Sequence, residues 1–440
     1  MSTEYEPFKA WRIALLMLAF LMVNFFDKVV IGMLAVPIMN ELAISPLQFG
    51  IVSSSFFWLF AVGGIAGGFL ANRISTRVIA LALALSWSLF QLPLVVSSSM
   101  LVFMASRVAL GFTEGPAYPV AVHAVYKWFP PSKRILPVSL YVAGGSIGLL
   151  AAGVAVPLVT RHWGWRANFV MLCGIGVIWS ALWLAFGREG RLDDHPASAA
   201  PQARVAYRRL LADRTVLGSM LLQFVSYWGV ALGFTWLPVY FQKGLSYDAV
   251  TSGRYYALVM AAAVPVSLGL SFIAQRLIAR GVRSRIARGW YTSGCQLAAG
   301  LGYMSLLDGQ MPLALRLAIL ILTFGCTPIA YGLCPALLAE VTPAPQRGAI
   351  LAIGNSVASL AGMIAPVVMG RLVQGMPGAH GYEAGFALCG ALSVVGSLIG
   401  AVLVHPVRTM ERLRIAVPAV PAAPNLPGES AETIASAGQG

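Results

Sequence analysis

Four ionisable residues stand inside stretches of sequence that are otherwise apolar: Asp27 and Lys28 within 13–36, and Arg107 and Glu114 within 100–121. At mid-bilayer such a side chain costs about 2.5–3.5 kcal/mol to insert, so it persists only where it faces another charge, water or a charged solute. Two carboxylates and two cations in that setting can clamp helices as a fixed ion-pair network. They can also bind an anion and carry protons. Seven residues separate Arg107 from Glu114, nearly two helical turns, so both share one helix face about 10 Å apart. Asp27, Arg107 and Glu114 all fall in the middle layer of their spans, and Asp27 is within reach of either charge on 100–121. Adjacent Asp27 and Lys28 point about 100° apart and need not join the same pair. Glu114 is flanked by Thr113, Gly115 and Pro116, which solvate it little. Burial favours a carboxyl's protonated form and a nearby arginine its ionised form, so a carboxyl that meets both in turn can take up and release a proton.

The elements that position these groups are membrane spans. Of 440 residues, 58% are hydrophobic and only 10% charged, against about 25% charged in a soluble domain. Apolar stretches near the spanning length of about 20 residues recur at 13–36, 49–70, 78–96, 100–121, 136–159 and 169–186. They recur again at 216–241, 255–273, 290–307, 313–338, 350–373 and 386–404. The reading is an all-α membrane protein of twelve transmembrane helices in two six-helix halves, 1–186 and 215–404. A polar cytoplasmic linker, 187–214, joins them, and a Pro/Ala/Ser-rich tail, 405–440, is expected to be disordered. Pro328, Pro335 and Pro366 are expected to kink their helices.

Net charge is +14, and its distribution argues against nucleic acid. Basic residues gather in alternate loops and the tails: Arg73 and Arg77, Lys127 to Arg134, Arg188 to Arg214, Arg276 to Arg288, Arg347, and Arg408 to Arg414. This positive-inside bias places both termini in the cytoplasm of a cell (inner) membrane. The first apolar run is too long for a cleaved signal and follows Glu4 and Glu6, so it reads as a retained helix. The five cysteines lie in apolar spans without CxxC spacing, and the five histidines lack metal-ligand spacing. No disulfide, metal, cofactor or enzyme chemistry is implied.

The halves echo one another. Gly68, Asn72, Arg73 and Arg77 follow the second span as Ser271, Gln275, Arg276 and Arg280 follow the eighth, the mark of a repeat that builds a pseudo-symmetric carrier. The first of these resembles the loop signature G-x-x-x-D-R-x-G-x-R of the major facilitator superfamily, with Asn72 in place of the Asp and Ser75 of the second Gly. Asp27-Lys28 and R-x6-E-G-P-A-Y-P from Arg107 to Pro119 resemble the anion:cation symporter family within it. So do Trp128-Phe129-Pro130 and the run Phe234 to Tyr240 containing Trp236.

The resemblance implies the major facilitator fold and proton coupling through Asp27 and Glu114. It assigns the substrate's negative charge to Lys28 and Arg107, with Phe25, Phe60, Tyr118, Trp236, Tyr240 and Ser359 lining the substrate site. Lys28 replaces the usual Arg, exchanging a bidentate fork for a point charge. Sugar-acid carriers of the family place hydrogen-bonding residues where Phe25, Phe60, Gly145 and Ser359 stand here, which favours an acid with fewer hydroxyls. Arg73, Arg77, Arg276 and Arg280 either pair across the halves as a cytoplasmic gate or serve only as topology charges. The expected activity is import of a small organic anion, aromatic or aliphatic, with protons, by a monomer using alternating access. A sugar-acid symporter and a proton-coupled exporter are the alternatives. Gly153 and Pro157 are separated, unlike the Gly-Pro pair usual in exporters, which argues against the latter.

Overall fold

The computed structural model describes residues 6–71, 73–130, 133–190, 192 and 204–413. Asn72, Arg191 and Arg414 lie outside these, as do 193–203 of the expected linker and 414–440 of the expected tail.

All regular structure among the described residues is helical. The N-terminal half comprises α1 (Pro7–Met33), α2 (Ala35–Leu42), α3 (Pro46–Ser55), α4 (Phe60–Ala71), α5 (Thr76–Val96), α6 (Met100–Glu114), α7 (Ala117–Tyr126), α8 (Ile135–Trp163) and α9 (Ala167–Phe186). A short α10 (Tyr207–Leu211) lies in the linker. The second half comprises α11 (Arg214–Thr235), α12 (Leu237–Val239), α13 (Ala249–Ala279), α14 (Tyr291–Ser305), α15 (Leu313–Cys326), α16 (Ile329–Glu340), α17 (Arg347–Gly375) and α18 (His380–Leu403). A last helix, α19 (Pro406–Leu413), occupies the start of the segment expected to be disordered. It is held because Thr409 and Arg412 bond the buried Asp213 carboxylate and Met410 enters an apolar cluster with Leu210 and Val216.

Among the described residues, ten helical segments are long and apolar enough to cross a membrane. The fourth and ninth expected spans are the two others, and each is interrupted. The fourth divides at Gly115–Pro116 into α6 and α7, and the ninth opens with a π-helical turn, Arg285–Trp290, before α14. Pro116 lacks the N–H that a continuous helix would use. The second half repeats the break at Thr327–Pro328, between α15 and α16. Pro335 and Pro366, by contrast, lie inside unbroken helices. Another repeated device starts α8 and α17: Arg134 Nε donates to Phe129 O at 2.9 Å, and Arg347 Nε to Thr342 O at 3.1 Å.

Caps fix several helix starts. Ser45 and Gln48 form a reciprocal capping box on α3, and Asp213 and Asp248 accept from the first N–H groups of α11 and α13. These satisfy donors that would otherwise be orphaned. On α5, the Glu189 carboxylate from beyond α9 accepts from Thr76 N at 3.2 Å and Arg77 N at 2.9 Å, with Lys127 Nζ 2.5 Å away.

The two halves are clasped at the end opposite the chain termini. There Gly32 meets the backbone of Phe234 and Thr235, Gly50 meets Pro366, Gly370 meets Pro46, and Gly153 meets Gly253. In each pair a Cβ on the glycine would come within 3 Å of the partner, so glycine is what permits the approach. Toward the terminal end, by contrast, Gly68 on α4 and Gly348 on α17 have nothing within 4 Å. The apolar core spans both halves at the clasped end, through Val30, Phe49, Trp236 and Met369 among others.

Candidate functional site

The four ionisable residues converge between α1 and α6, where their side chains bridge the two helices. All are buried: Asp27 and Arg107 are 2% exposed, Glu114 1% and Lys28 8%. They resolve into two pairs, and adjacent Asp27 and Lys28 join different ones. Lys28 Nζ lies 3.2 Å from Glu114 Oε2, and Arg107 Nη1 lies 3.8 Å from Asp27 Oδ1. The second separation makes an electrostatic neighbour and not a hydrogen bond. The break at Gly115–Pro116 follows Glu114 directly, and close glycine contacts seat this helix. Gly111 lies against Phe56 O and Gly115 against Phe60 O.

Two amides complete the cluster, and the sequence reading passed over both. Asn24 Nδ2 donates to Glu114 Oε2 at 2.8 Å while its Oδ1 accepts from Lys28 Nζ. Gln91 Nε2 donates to Asp27 Oδ1. The signal existed: Asn24 sits one helical turn before Lys28, and Gln91 is an amide inside an apolar span. Several polar atoms keep no protein hydrogen-bond partner among the described residues: Asp27 Oδ2, Glu114 Oε1, and Arg107 Nε and Nη1. The cluster therefore balances two cations against two carboxylates and keeps polar atoms free of protein partners among the described residues.

Aromatic rings wall it. Lys28 Nζ stands 4.8 Å from the Phe25 ring centroid and 5.6 Å from that of Phe60, and the Arg107 guanidinium 4.8 Å from that of Phe56. Phe56, Phe57 and Phe60 pack on one another. The Phe57 ring continues across the molecule to Tyr227 of α11 at 5.6 Å, and Tyr227 to Tyr331 of α16 at 5.6 Å. The Tyr331 hydroxyl is buried without a protein partner among the described residues. Both tyrosines were missed, although Tyr331 follows Pro328 much as Tyr118 follows Pro116.

The other expected site residues have partners of their own. Trp236 is fully buried at the clasped end, donating to Pro366 O at 3.0 Å and packing on Phe49. The Tyr240 hydroxyl donates to Glu383 at 3.2 Å and accepts from Arg316, and Arg316 and Glu383 pair at 2.8 Å. Tyr240 thus bonds to a third buried ion pair, Arg316–Glu383, built from residues near the starts of their helices. Ser359 Oγ donates to Ser356 O of its own helix at 2.8 Å. Tyr118 is 55% exposed, its ring against Tyr141. Gly145 faces the Phe25 ring, which a Cβ would approach to 3.2 Å.

Among the loop basics, Arg77 Nη2 donates to Leu184 O, within its own half, and Arg276 lies over Phe272 of its own helix. Arg73 and Arg280 are exposed. No ion pair joins these four across the halves among the described residues. A groove of about 660 Å³ lies on the face of α6 opposite Arg107 and is lined by apolar side chains such as Leu101, Val108 and Phe112. It is separate from the charged cluster.

This chain belongs to the Major Facilitator Superfamily, whose family model matches residues 16–366. It is a multi-pass membrane transporter and not an enzyme. Its relatives are carriers of anions and sugar acids, the anion:cation symporter type that the motifs resemble. It is 25% identical to a probable sulfoacetate transporter of Cupriavidus necator, over 88% of this chain and 92% of that one. It is likewise 25% identical to a D-galactonate transporter of Escherichia coli, over 87% and 93%. Among solved structures it resembles a bacterial homologue of the human lysosomal transporter Spinster, described as inward-facing and unoccupied. The TM-score is 0.75 at 17% identity, covering 94% of this chain and all of the other.

Proposed function

We propose that the protein imports a small organic anion with protons by alternating access, Lys28 and Arg107 holding the carboxylate and Asp27 and Glu114 coupling the protons. The observation that carries this is the buried, charge-balanced cluster. Two cations and two carboxylates sum to zero, so an entering anion leaves an uncompensated buried charge unless a proton enters too. Neutrality sets a floor of one proton per negative charge brought in. Arg107 Nε and Glu114 Oε1, which lack protein partners among the described residues, are where the anion and the proton add.

Both termini lie in the cytoplasm of a cell (inner) membrane, the halves correspond to 1–186 and 215–404, and the working unit is a monomer. Clasping at the end away from the termini then corresponds to a carrier open to the cytoplasm.

The substrate is an aromatic or aliphatic acid with few hydroxyls. Phe25, Phe56, Phe57 and Phe60 surround the two cations, Ser359 spends its hydroxyl on its own helix, and a side chain at position 145 would strike Phe25. Trp236 and Tyr240 serve closure of the far end. The sulfoacetate relative fits an acid without a polyol chain. The galactonate relative supports the second reading, a sugar acid, for which the Tyr227 and Tyr331 hydroxyls would supply hydrogen bonds. Purified protein in vesicles with an inward proton gradient, challenged with a panel of competitors, separates the two. Aromatic or short aliphatic acids should compete at about tenfold lower concentration than aldonates or hexuronates, and their esters not at all. Competition by sugar acids alone selects the second reading. Equal competition by acid and ester removes the anion from the mechanism.

A further inference from the structure

Behind Asp27, where α1 packs against α5 and α9, lies a small cavity lined by Asp27, Trp87, Ser88, Gln91, Gly176 and two apolar side chains. The space open to a water's centre is about 10 Å³, about what one water needs. Three polar atoms on these side chains have no protein partner among the described residues: Asp27 Oδ2, Gln91 Oε1 and Trp87 Nε1. Each side chain is more than nine-tenths buried. Left unpaired, each would cost about 1–3 kcal/mol.

Two of the atoms accept and one donates. A water has two protons to give and lone pairs to receive, so one molecule can meet all three, the usual bonding of a buried water. A cation does not fit the set, because the indole N–H would point its proton at it. Ser88 Oγ is occupied with Ala84 O at 3.2 Å, and Gly176 leaves room beside it, since a Cβ there would come within 2.1 Å of that oxygen.

We propose that this cavity is a site for one ordered water, and that this water holds Asp27 Oδ2 so that Oδ1 stays turned to Arg107. Trp87 and Gln91 are thereby positioning residues. The functional consequence rests on the reading of Asp27 as a coupling carboxylate; the water site itself does not. The charged or titratable groups around Asp27 are Lys28 beside it, Arg107 and Glu114 from α6, and Cys173 from α9, whose Sγ donates to Ser88 O at 3.1 Å. Gln91 from α5 is uncharged. A hydrogen bond donated to a carboxylate favours the ion, and losing it favours the acid.

The test joins density with transport. A structure of the full chain at about 2 Å should show a peak within hydrogen-bonding range, about 2.7–3.2 Å, of the three atoms. Trp87→Phe leaves a smaller aromatic ring to pack on Phe20, where the indole now stacks at 4.5 Å, and removes the N–H. It should lose the peak and move the midpoint of the uptake pH profile up by about half a unit to one unit. Gly176→Ala, which crowds the cavity through Ser88, should do the same. No peak beside a well-ordered Asp27 overturns the site. So does a peak at shorter, cation-like distances with a thermal midpoint that rises in sodium over choline chloride. An unchanged profile in a variant that has lost the peak overturns the positioning role. Wild-type uptake indifferent to pH would sink the proton-coupling reading instead, while the density still decides the water.

Discussion

The two buried pairs differ in what each residue can lose. Glu114 shares one oxygen with Asn24 and Lys28, and its other oxygen finds no protein donor among the described residues, so an amide can replace it with little rearrangement. Glu114→Gln should abolish accumulation driven by a proton gradient while counterflow exchange continues within about threefold of wild type. Wild-type accumulation by that variant would remove Glu114 from coupling. Arg107→Ala takes from buried Asp27 the cation paired with it and leaves Lys28 engaged with Glu114; breaking a buried pair in this way costs about 3–5 kcal/mol. Its melting temperature should fall by several degrees and its uptake by about a hundredfold or more. Adding Asp27→Asn should restore the melting temperature without restoring uptake. Recovery of both in the double variant would show that Arg107 only balances Asp27 and never meets the substrate.

Helices in this chain are positioned by their ends as much as by their faces. The first turn of α5 donates to Glu189, which Lys127 at the end of α7 also holds, so one loop carboxylate ties three spans together. Burial pushes the Glu189 carboxyl up, but the Lys127 bond and the Arg77 and Thr76 N–H groups outweigh it and leave it below the ordinary range. A carboxyl depressed on folding contributes stability above its unfolded value and loses it as pH falls through its folded one. Glu189→Gln should therefore lower the melting temperature by about 2–4 °C at neutral pH. The gap should close in buffers acid enough to protonate the native carboxylate. A gap that persists unchanged there would show that the side chain matters by shape alone.

Across the whole molecule, closure at the end away from the termini depends on backbones touching. Gly153 on α8 and Gly253 on α13 come so close that a Cβ on either meets a carbonyl of the other within 3 Å. Gly153→Val should push the halves apart there and shift the population toward the opposite opening. Spin labels at Asn40 and Met376, on the two halves near that end, should report a longer mean distance in the variant. The same distribution as in wild type would mean that the clasp is held elsewhere, for example by Gly50 and Pro366.

Hydropathy and charge placement determined the spans, their number and their pairing into halves, because a helix must satisfy its own backbone in lipid and pattern alone then locates it. Intramembrane charge was equally legible: Asp27, Lys28, Arg107 and Glu114 stand out in apolar spans by their cost, and the fold brings all four together. Which acid meets which cation was not, since Asp27 and Lys28 are adjacent and only the rotation of α1 against α6 decides. Asn24, Gln91, Tyr227 and Tyr331 escaped notice because a neutral amide or phenol costs a span little, and its role depends on what another helix brings beside it. For Trp236, Tyr240 and Ser359 the sequence suggested a role but not the partner each side chain takes. Their motif or span suggested the site, but tertiary packing placed Trp236 in the clasp, gave Tyr240 to Arg316 and Glu383, and turned the Ser359 hydroxyl back onto its own helix. The segment after His405 read as disordered from its composition. Its first turns are helical because Asp213, nearly two hundred residues earlier, supplies the partner that local sequence lacks.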